Sequence, residues 1–278
     1  MMYATFLFAL MNVMVKLVPH IPAVEVVFFR SLVTLLISGG VLRAQRKNIW
    51  GNNRKLLVLR GASGAIALVM YFYLLQSIPL ASAVLFQFIT PIFTAILGIF
   101  ILKEKVYPLQ WVFFLIALGG ILFIQGFDSR IPLMFVFFGL GASLFAGLAY
   151  NCVRKLAATD QAMVIVFYFP LVTLPVTGIY LLFDWVTPSL TDWVIMLGIG
   201  LVVQFAQYFM TKAYQTEELS KAVSIKYMSI IYALFFGFIF FGETYTVATY
   251  LGMVLVMVGV GLNLWYKQRK ELEFGKSS

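Results

Sequence analysis

LASAVLFQFITPIFTAILGIFILKE, residues 80–104, returns as LSKAVSIKYMSIIYALFFGFIFFGE at residues 219–243. Leu80, Ala83, Val84, Gly98 and Glu104 fall on Leu219, Ala222, Val223, Gly237 and Glu243, always 139 positions apart. Working outward at the same offset, Asn12 and Lys16 recur as Asn151 and Lys155, and Gly120 recurs as Gly259. The spacing never slips, so neither copy has gained or lost a residue between its first and last match. If each copy holds an odd number of membrane-crossing helices, the second copy must lie upside down relative to the first. Inverted repeats are the architecture of alternating-access transporters, which hold substrate between the halves near the midplane. Counting helices therefore decides the fold.

Hydrophobic residues make up 62% of the 278 and charged residues 11%, with a mean hydropathy of +0.97. Soluble domains carry about 25% charge, so this composition demands lipid as solvent. The net charge of +9 does not point to nucleic acid, because the basic residues sit in short gaps between apolar runs, where an anionic membrane leaflet accounts for them. The single cysteine, Cys152, excludes an internal disulfide. The first apolar run is followed by nine more and does not read as a removable leader.

Runs long enough to cross about 30 Å of hydrocarbon, roughly 20 residues each, cover 1–18, 24–42, 56–78, 81–102 and 108–125 in the first half. The second half supplies 132–153, 162–183, 190–211, 219–241 and 246–266. Nothing alternates at period two over strand-length segments, so strands are not expected. Five runs per half is odd. The expected fold is an all-α integral membrane protein of ten helices in two inverted repeats, 1–127 and 131–266, followed by a basic tail, 267–278.

Orientation follows from the basic residues. Arg43, Arg46, Lys47, Arg54, Lys55 and Arg60 lie around the gap after the second run. Lys103 and Lys105 follow the fourth run, Arg154 and Lys155 the sixth, Lys212 and Lys221 flank the gap after the eighth, and the tail adds Lys267, Arg269, Lys270 and Lys276. The opposite side carries essentially Arg130, beside Asp128, Asp184, Asp192 and Glu243. Both termini are expected in the cytoplasm, with the chain in a bacterial inner membrane.

Polar residues inside apolar runs are the candidates for chemistry, since an intramembrane charge faces a cavity or a partner. Lys226 lies about 6 Å from the middle of the ninth run at 1.5 Å per residue, and its repeat mate is Gln87. Three residues on come Ser229 and Thr90, so two helices offer polar groups at equivalent points. Gln204, Gln207, Tyr208 and Thr211 form an i, i+3, i+4, i+7 stripe whose first-half mates, Ala65, Leu68, Val69 and Phe72, are apolar. The stripe reads either as acquired chemistry or as polar glue between helices. Ser143, Gly147, Tyr150, Asn151 and Arg154 make a comparable line in the sixth run, and Asn12 is the mate of Asn151. Arg30, above Thr34 and Ser38, reads as a ligand for an anion or as the partner of Glu25 or another polar helix.

Lys16 and Lys155 lie near opposite ends of their runs, where snorkelling is cheap, and Lys16 reads as a gate. Glu104 and Glu243 precede the fifth and tenth runs, where a carboxylate meets a positive helix end. Gly119, Gly120, Gly252 and Gly259 mark close helix approach, within the bundle or to a second protomer.

Two copies, each with a Gly, then a Glu, then a Gly-rich run, resemble the EamA type of the drug/metabolite transporter superfamily. Pro91, Gly98, Glu104 and Gly120 carry the resemblance in the first copy, and Gly237, Glu243, Gly252 and Gly259 in the second. Pro22 followed by Phe28-Phe29-Arg30-Ser31 is similar to the family's start of its second helix. Ile230 stands where the first copy has Pro91, so a kink is expected on one side only. The resemblance implies transport of a small molecule without choosing among amino acids, nucleotide sugars, sugar phosphates, carboxylates and drugs.

The residues add a charge preference. The deep ionisable groups, Lys226 and Arg30, are basic and no Asp lies mid-helix, which favours a substrate bearing a carboxylate or phosphate. An exporter of amino acids or aromatic compounds is the alternative. Proton coupling needs a titratable membrane carboxylate, and only Glu25 comes close, at a helix end. No GxxxxGK[ST] loop is present for ATP. An enzyme is disfavoured because the only histidine, His20, lies in a short loop and no nucleophile or metal spacing occurs. The expected binding residues are Lys226, Gln87, Thr90, Ser229, Gln204, Gln207, Tyr208, Tyr150, Asn151, Asn12 and Arg30. Lys16, Glu25, Glu104, Glu243 and Pro91 are expected to gate or support. No cofactor or metal is expected, and the chain is read as a monomer or homodimer.

Overall fold

Pro91 breaks the helix in which it sits. Its ring nitrogen cannot donate to the Gln87 carbonyl, and the ring crowds that carbonyl. The chain therefore tightens into i→i+3 turns there: the Gln87, Phe88 and Ile89 N–H groups donate to Val84, Leu85 and Phe86 carbonyls at 3.1, 2.9 and 3.1 Å. A single apolar stretch becomes α4 (Leu80–Phe86) and α5 (Thr90–Ile101). The computed structural model describes residues 2–45, 49–103, 106–128, 130–156, 158–216 and 228–275, with the backbone alone for 127, 162, 208, 210–216 and 271–275.

The remaining elements are α1 (Met2–Lys16), α2 (Ala23–Ala44), α3 (Arg54–Ser77), α6 (Pro108–Phe127), α7 (Leu133–Leu156), α8 (Ala162–Leu181) and α9 (Leu190–Thr216). After these come α10 (Met228–Phe241) and α11 (Val247–Gly275). Among the described residues there is no strand, and eight spans are long and apolar enough to cross a membrane, α4 and α5 counting as one. The other two apolar helices, Met2–Lys16 and Met228–Phe241, are shorter. Large apolar side chains such as Leu36, Phe100, Leu115, Phe137 and Phe183 stand on the outside, as expected of surfaces that face lipid.

Helix packing follows the repeat. α1 lies against α9 and α10, while α7 lies against α3 and α5. Shifting each partner by 139 residues converts the first pair of contacts into the second. α2 packs on α8, and α6 on α11, each joining equivalent parts of the two halves.

Glycines bring α6 and α11 together. A Cβ on Gly259 would stand 2.7 Å from the Ala117 nitrogen and 2.8 Å from the Phe113 carbonyl oxygen. One on Gly120 would stand 2.9 Å from the Gly252 oxygen. Gln110 closes the seam by donating from Nε2 to Asn263 Oδ1 at 2.7 Å, both side chains buried. These three glycines serve a contact within the chain, whereas a Cβ on Gly119 would meet no atom within 4 Å.

Turns repeat as well. Lys103 and its mate Gly242 both take left-handed backbone conformations, φ 57° and 60°. Glycine adopts this region without strain, whereas a side chain costs about 1–2 kcal/mol.

Candidate functional site

Three groups of polar side chains meet between the helices. At the first, the end of the bundle where α1 finishes, Lys16 Nζ lies 2.8 Å from Glu243 Oε1 and also donates to the Ile78 carbonyl. Glu243 Oε2 accepts from the Leu80 N–H at the start of α4 and from the Tyr245 hydroxyl, each at 2.8 Å. The Tyr245 oxygen in turn accepts from the Ala81 N–H at 3.3 Å. Burial, reinforced by the Glu243 carboxylate, pushes the Tyr245 phenol well above its usual range. Gly237 explains the Gly-to-Glu spacing of the motif, because a Cβ there would stand 2.6 Å from Glu243 Oε2.

The capping expected of Glu243 at the tenth run falls instead to Thr246, whose Oγ1 accepts from the Thr249 N–H at 3.2 Å. Helix α11 starts only at Val247, and Glu243 is left to join α1, α4 and the turn before α11. Arg130 lies 5.1 Å over the Tyr245 ring and clasps Asp128 through Nε and Nη2 at 2.9 and 2.8 Å. Those bonds hold Asp128 below the usual carboxylate range. Glu25 is sealed from solvent near the same end; its Oε2 accepts from the Val186 N–H at 3.2 Å and its Oε1 has no partner.

The second group surrounds the break between α4 and α5. Ser143 donates to the Phe86 carbonyl at 2.6 Å, and Asn151 Nδ2 donates to the Thr94 and Gly147 carbonyls at 2.9 and 3.0 Å. The polar line of α7 thus grips the broken helix. Gly147 admits it, since a Cβ there would lie 2.9 Å from the Thr94 nitrogen. Thr90 is buried, with its carbonyl taken by Thr94 Oγ1 at 2.8 Å. On α3, the Tyr71 hydroxyl is buried and lacks a partner at hydrogen-bond distance. Asn12 Oδ1 and its repeat mate Asn151 Oδ1 are likewise buried without partners.

The third group is cationic. Arg30 on α2 is 6% exposed, and its Nε and Nη1 find no hydrogen-bond partner. Its guanidinium carbon lies 5.7 Å from the Phe72 ring centre and 5.8 Å from that of Phe169. Arg60 on α3 approaches the same Phe169 ring at 4.7 Å, with its own Nε and Nη1 buried and unpartnered. Gly61 and Gly64 let α8 come this close: a Cβ on Gly64 would stand 3.0 Å from Phe169 Cε2, and one on Gly61 2.7 Å from Val172 Cβ. Both guanidinium groups thus lie against the one Phe169 ring. Neither arginine forms an ion pair with a described carboxylate; Arg30 is not the partner of Glu25.

Of the other expected binding residues, Gln204 and Gln207 are half-buried on α9, with Gln204 Oε1 sealed and unpartnered. Ser229 is half-buried in the first turn of α10, and Tyr150 is exposed. Lys226 and Glu104 lie outside the described residues, as does the Tyr208 side chain. Sequence reasoning passed over Arg60, Phe169, Phe72, Tyr71 and Tyr245. Two signals were available. Phe169 is the repeat mate of Arg30, and Asn53, which accepts from the Leu56 N–H at 3.3 Å, caps α3 early enough to place Arg60 nearly two turns inside it.

A bundle that is helical throughout its described residues, with eight apolar spans and an apolar exterior, is an integral membrane protein. The model of the EamA-like transporter family matches residues 1–126 and 133–265. The chain belongs to that family. It is 31% identical over 258 residues to the pseudopaline exporter CntI of Pseudomonas aeruginosa, covering 92% of this chain and 91% of that one. It is 28% identical to human solute carrier family 35 member G1, covering 96% and 79%. It is 24% identical to the S-adenosylmethionine uptake transporter of Rickettsia prowazekii, covering 89% and 84%. A solved crystal structure 16% identical shares the fold, with a TM-score of 0.64 over 97% of this chain and 96% of that one. The protein is a transporter of the drug/metabolite type and not an enzyme.

Proposed function

We propose that the protein moves a small polar metabolite bearing a carboxylate or phosphate by alternating access between two inverted five-helix repeats, 1–127 and 131–266. The observation that carries the charge assignment is Arg30. A charge withdrawn from water costs several kcal/mol after relaxation, whereas a cation–π contact returns roughly 0.5–2 kcal/mol. Two aromatic neighbours do not offset that cost, so an anion is the natural complement of the unpaired Nε and Nη1. Lys226, the repeat mate of Gln87, contributes a further positive charge in this reading.

The repeat assignment draws support from the exchange of α1 contacts into α7 contacts and from the two matched family segments. The termini and the tail 267–278 then face the cytoplasm, and the Lys16–Glu243 pair closes the outer end of the pathway. Export is the second reading for direction, favoured by the name of the Pseudomonas relative; the Rickettsia relative is named for uptake. A thermal-shift screen of the purified protein against metabolites grouped by charge tests the substrate class. Anions should raise the midpoint of wild type and lose that effect in Arg30→Gln and in Lys226→Gln, the latter copying the first repeat. Stabilisation by cations alone would overturn the reading.

A further inference from the structure

Arg60 makes the cationic group double. It shares the Phe169 ring with Arg30, its Nε and Nη1 are buried and unpartnered, and no described carboxylate pairs with either residue. Two like charges held beside one ring repel, and the repulsion is stronger where water is excluded. A single negative charge would neutralise only half of the pair.

We infer that Arg30 and Arg60 form one binding subsite for the dianionic part of a substrate, a phosphate monoester or a dicarboxylate, with Phe169 as the platform that sets the orientation of both guanidinium planes. The inference rests on the anionic reading above and narrows it. Guanidinium forks match carboxylate and phosphate oxygens bidentately, which a lysine does not. Phe169 limits the freedom of both side chains, so the forks are positioned before the anion arrives. The close approach of α8 at Gly61 and Gly64 fixes the ring against α3, and the ring stands at the repeat position of Arg30 itself. The duplication has thus placed a cation in one half and its aromatic support in the other.

The subsite also spans both halves of the molecule. Arg30 and Arg60 come from the first, and Phe169 from the second. An anion bound here would tie α2, α3 and α8 together, so its arrival and release are coupled to the relative placement of those helices.

Binding of inorganic phosphate, succinate, acetate and alanine to the purified full chain, by thermal shift and by calorimetric titration at constant ionic strength, tests the inference. Wild type should bind phosphate and succinate about tenfold or more tightly than acetate, and alanine no better than acetate. Arg60→Gln should bring the dianions down to the acetate level while leaving acetate nearly unchanged. Arg60→Lys should keep part of the preference, because it restores charge without the planar fork. Equal affinities of wild type for acetate and succinate, or an unchanged preference in Arg60→Gln, would overturn the dianion subsite and leave the broader anionic reading standing. Absence of binding by every anion, with a cation panel binding instead, would overturn both. If Arg60→Gln does not fold, the wild-type ratio of succinate to acetate decides alone. A midpoint rise by phosphate that persists in both Arg30→Gln and Arg60→Gln is general salt stabilisation and counts against the subsite.

Discussion

At the residue scale, Glu243 ties α1, α4 and the turn before α11 together. It balances the charge of Lys16 and accepts from the Leu80 N–H at the start of α4 and from the Tyr245 hydroxyl. Breaking a buried ion pair by neutralising one partner costs about 3–5 kcal/mol, because the other charge is left uncompensated. The Lys16 and Glu243 side chains expose 13% and 9% of their surface, which places the pair toward that end of the range. Glu243→Gln should therefore loosen the end of the bundle where α1 finishes. A hydrophilic thiol reagent should label Cys at position 12 faster in the Glu243→Gln background than in wild type. Unchanged labelling would show that the pair is a static brace rather than a closure. The motif glutamate was legible in sequence, but its partner was not, because the carboxylate folds back across Gly237 toward a helix far away in the chain. Arg60 was hidden for a different reason: a basic residue within two turns of a helix end counts toward topology before it counts toward chemistry.

At the scale of elements, the break in the fourth span was readable from Pro91, and its consequence was not. Prolines interrupt helices, but only the structure shows Ser143 and Asn151 of α7 hydrogen-bonding carbonyls on either side of the break. The glycine seam between α6 and α11 was likewise legible as close packing without a named partner. A methyl on Gly259 meets backbone atoms at 2.7 and 2.8 Å, which cannot rotate away. Gly259→Ala should cost about 1–3 kcal/mol by overpacking, read as a lower unfolding midpoint in detergent; no change would mean that α6 and α11 are not held together there. The turn after α5 offers the opposite case. Lys103→Gly copies Gly242 of the other half and removes left-handed strain, so the midpoint should rise by the equivalent of about 1 kcal/mol. A fall would show that the Lys103 side chain contributes more than its backbone costs.

At the scale of the whole molecule, the constant offset of 139 residues carried most of the fold. Membrane helices need only length and apolarity to declare themselves, and insertion-free duplication makes their order recoverable by subtraction. The site was less legible, because a transport cavity is assembled from single residues on many helices and no local pattern announces which of them converge. If the halves are inverted, reporter fusions at residues 1 and 278 should both report the cytoplasm, and a fusion between α1 and α2 the opposite side.

Counterflow in proteoliposomes tests transport of an anion by alternating access most directly. Vesicles loaded with unlabelled succinate or phosphate should accumulate the same labelled anion transiently, saturably and without ATP. Arg30→Gln should abolish that accumulation in vesicles containing equal amounts of folded protein. Flux that rises linearly with concentration, or accumulation confined to cationic solutes and indifferent to Arg30, would contradict the account.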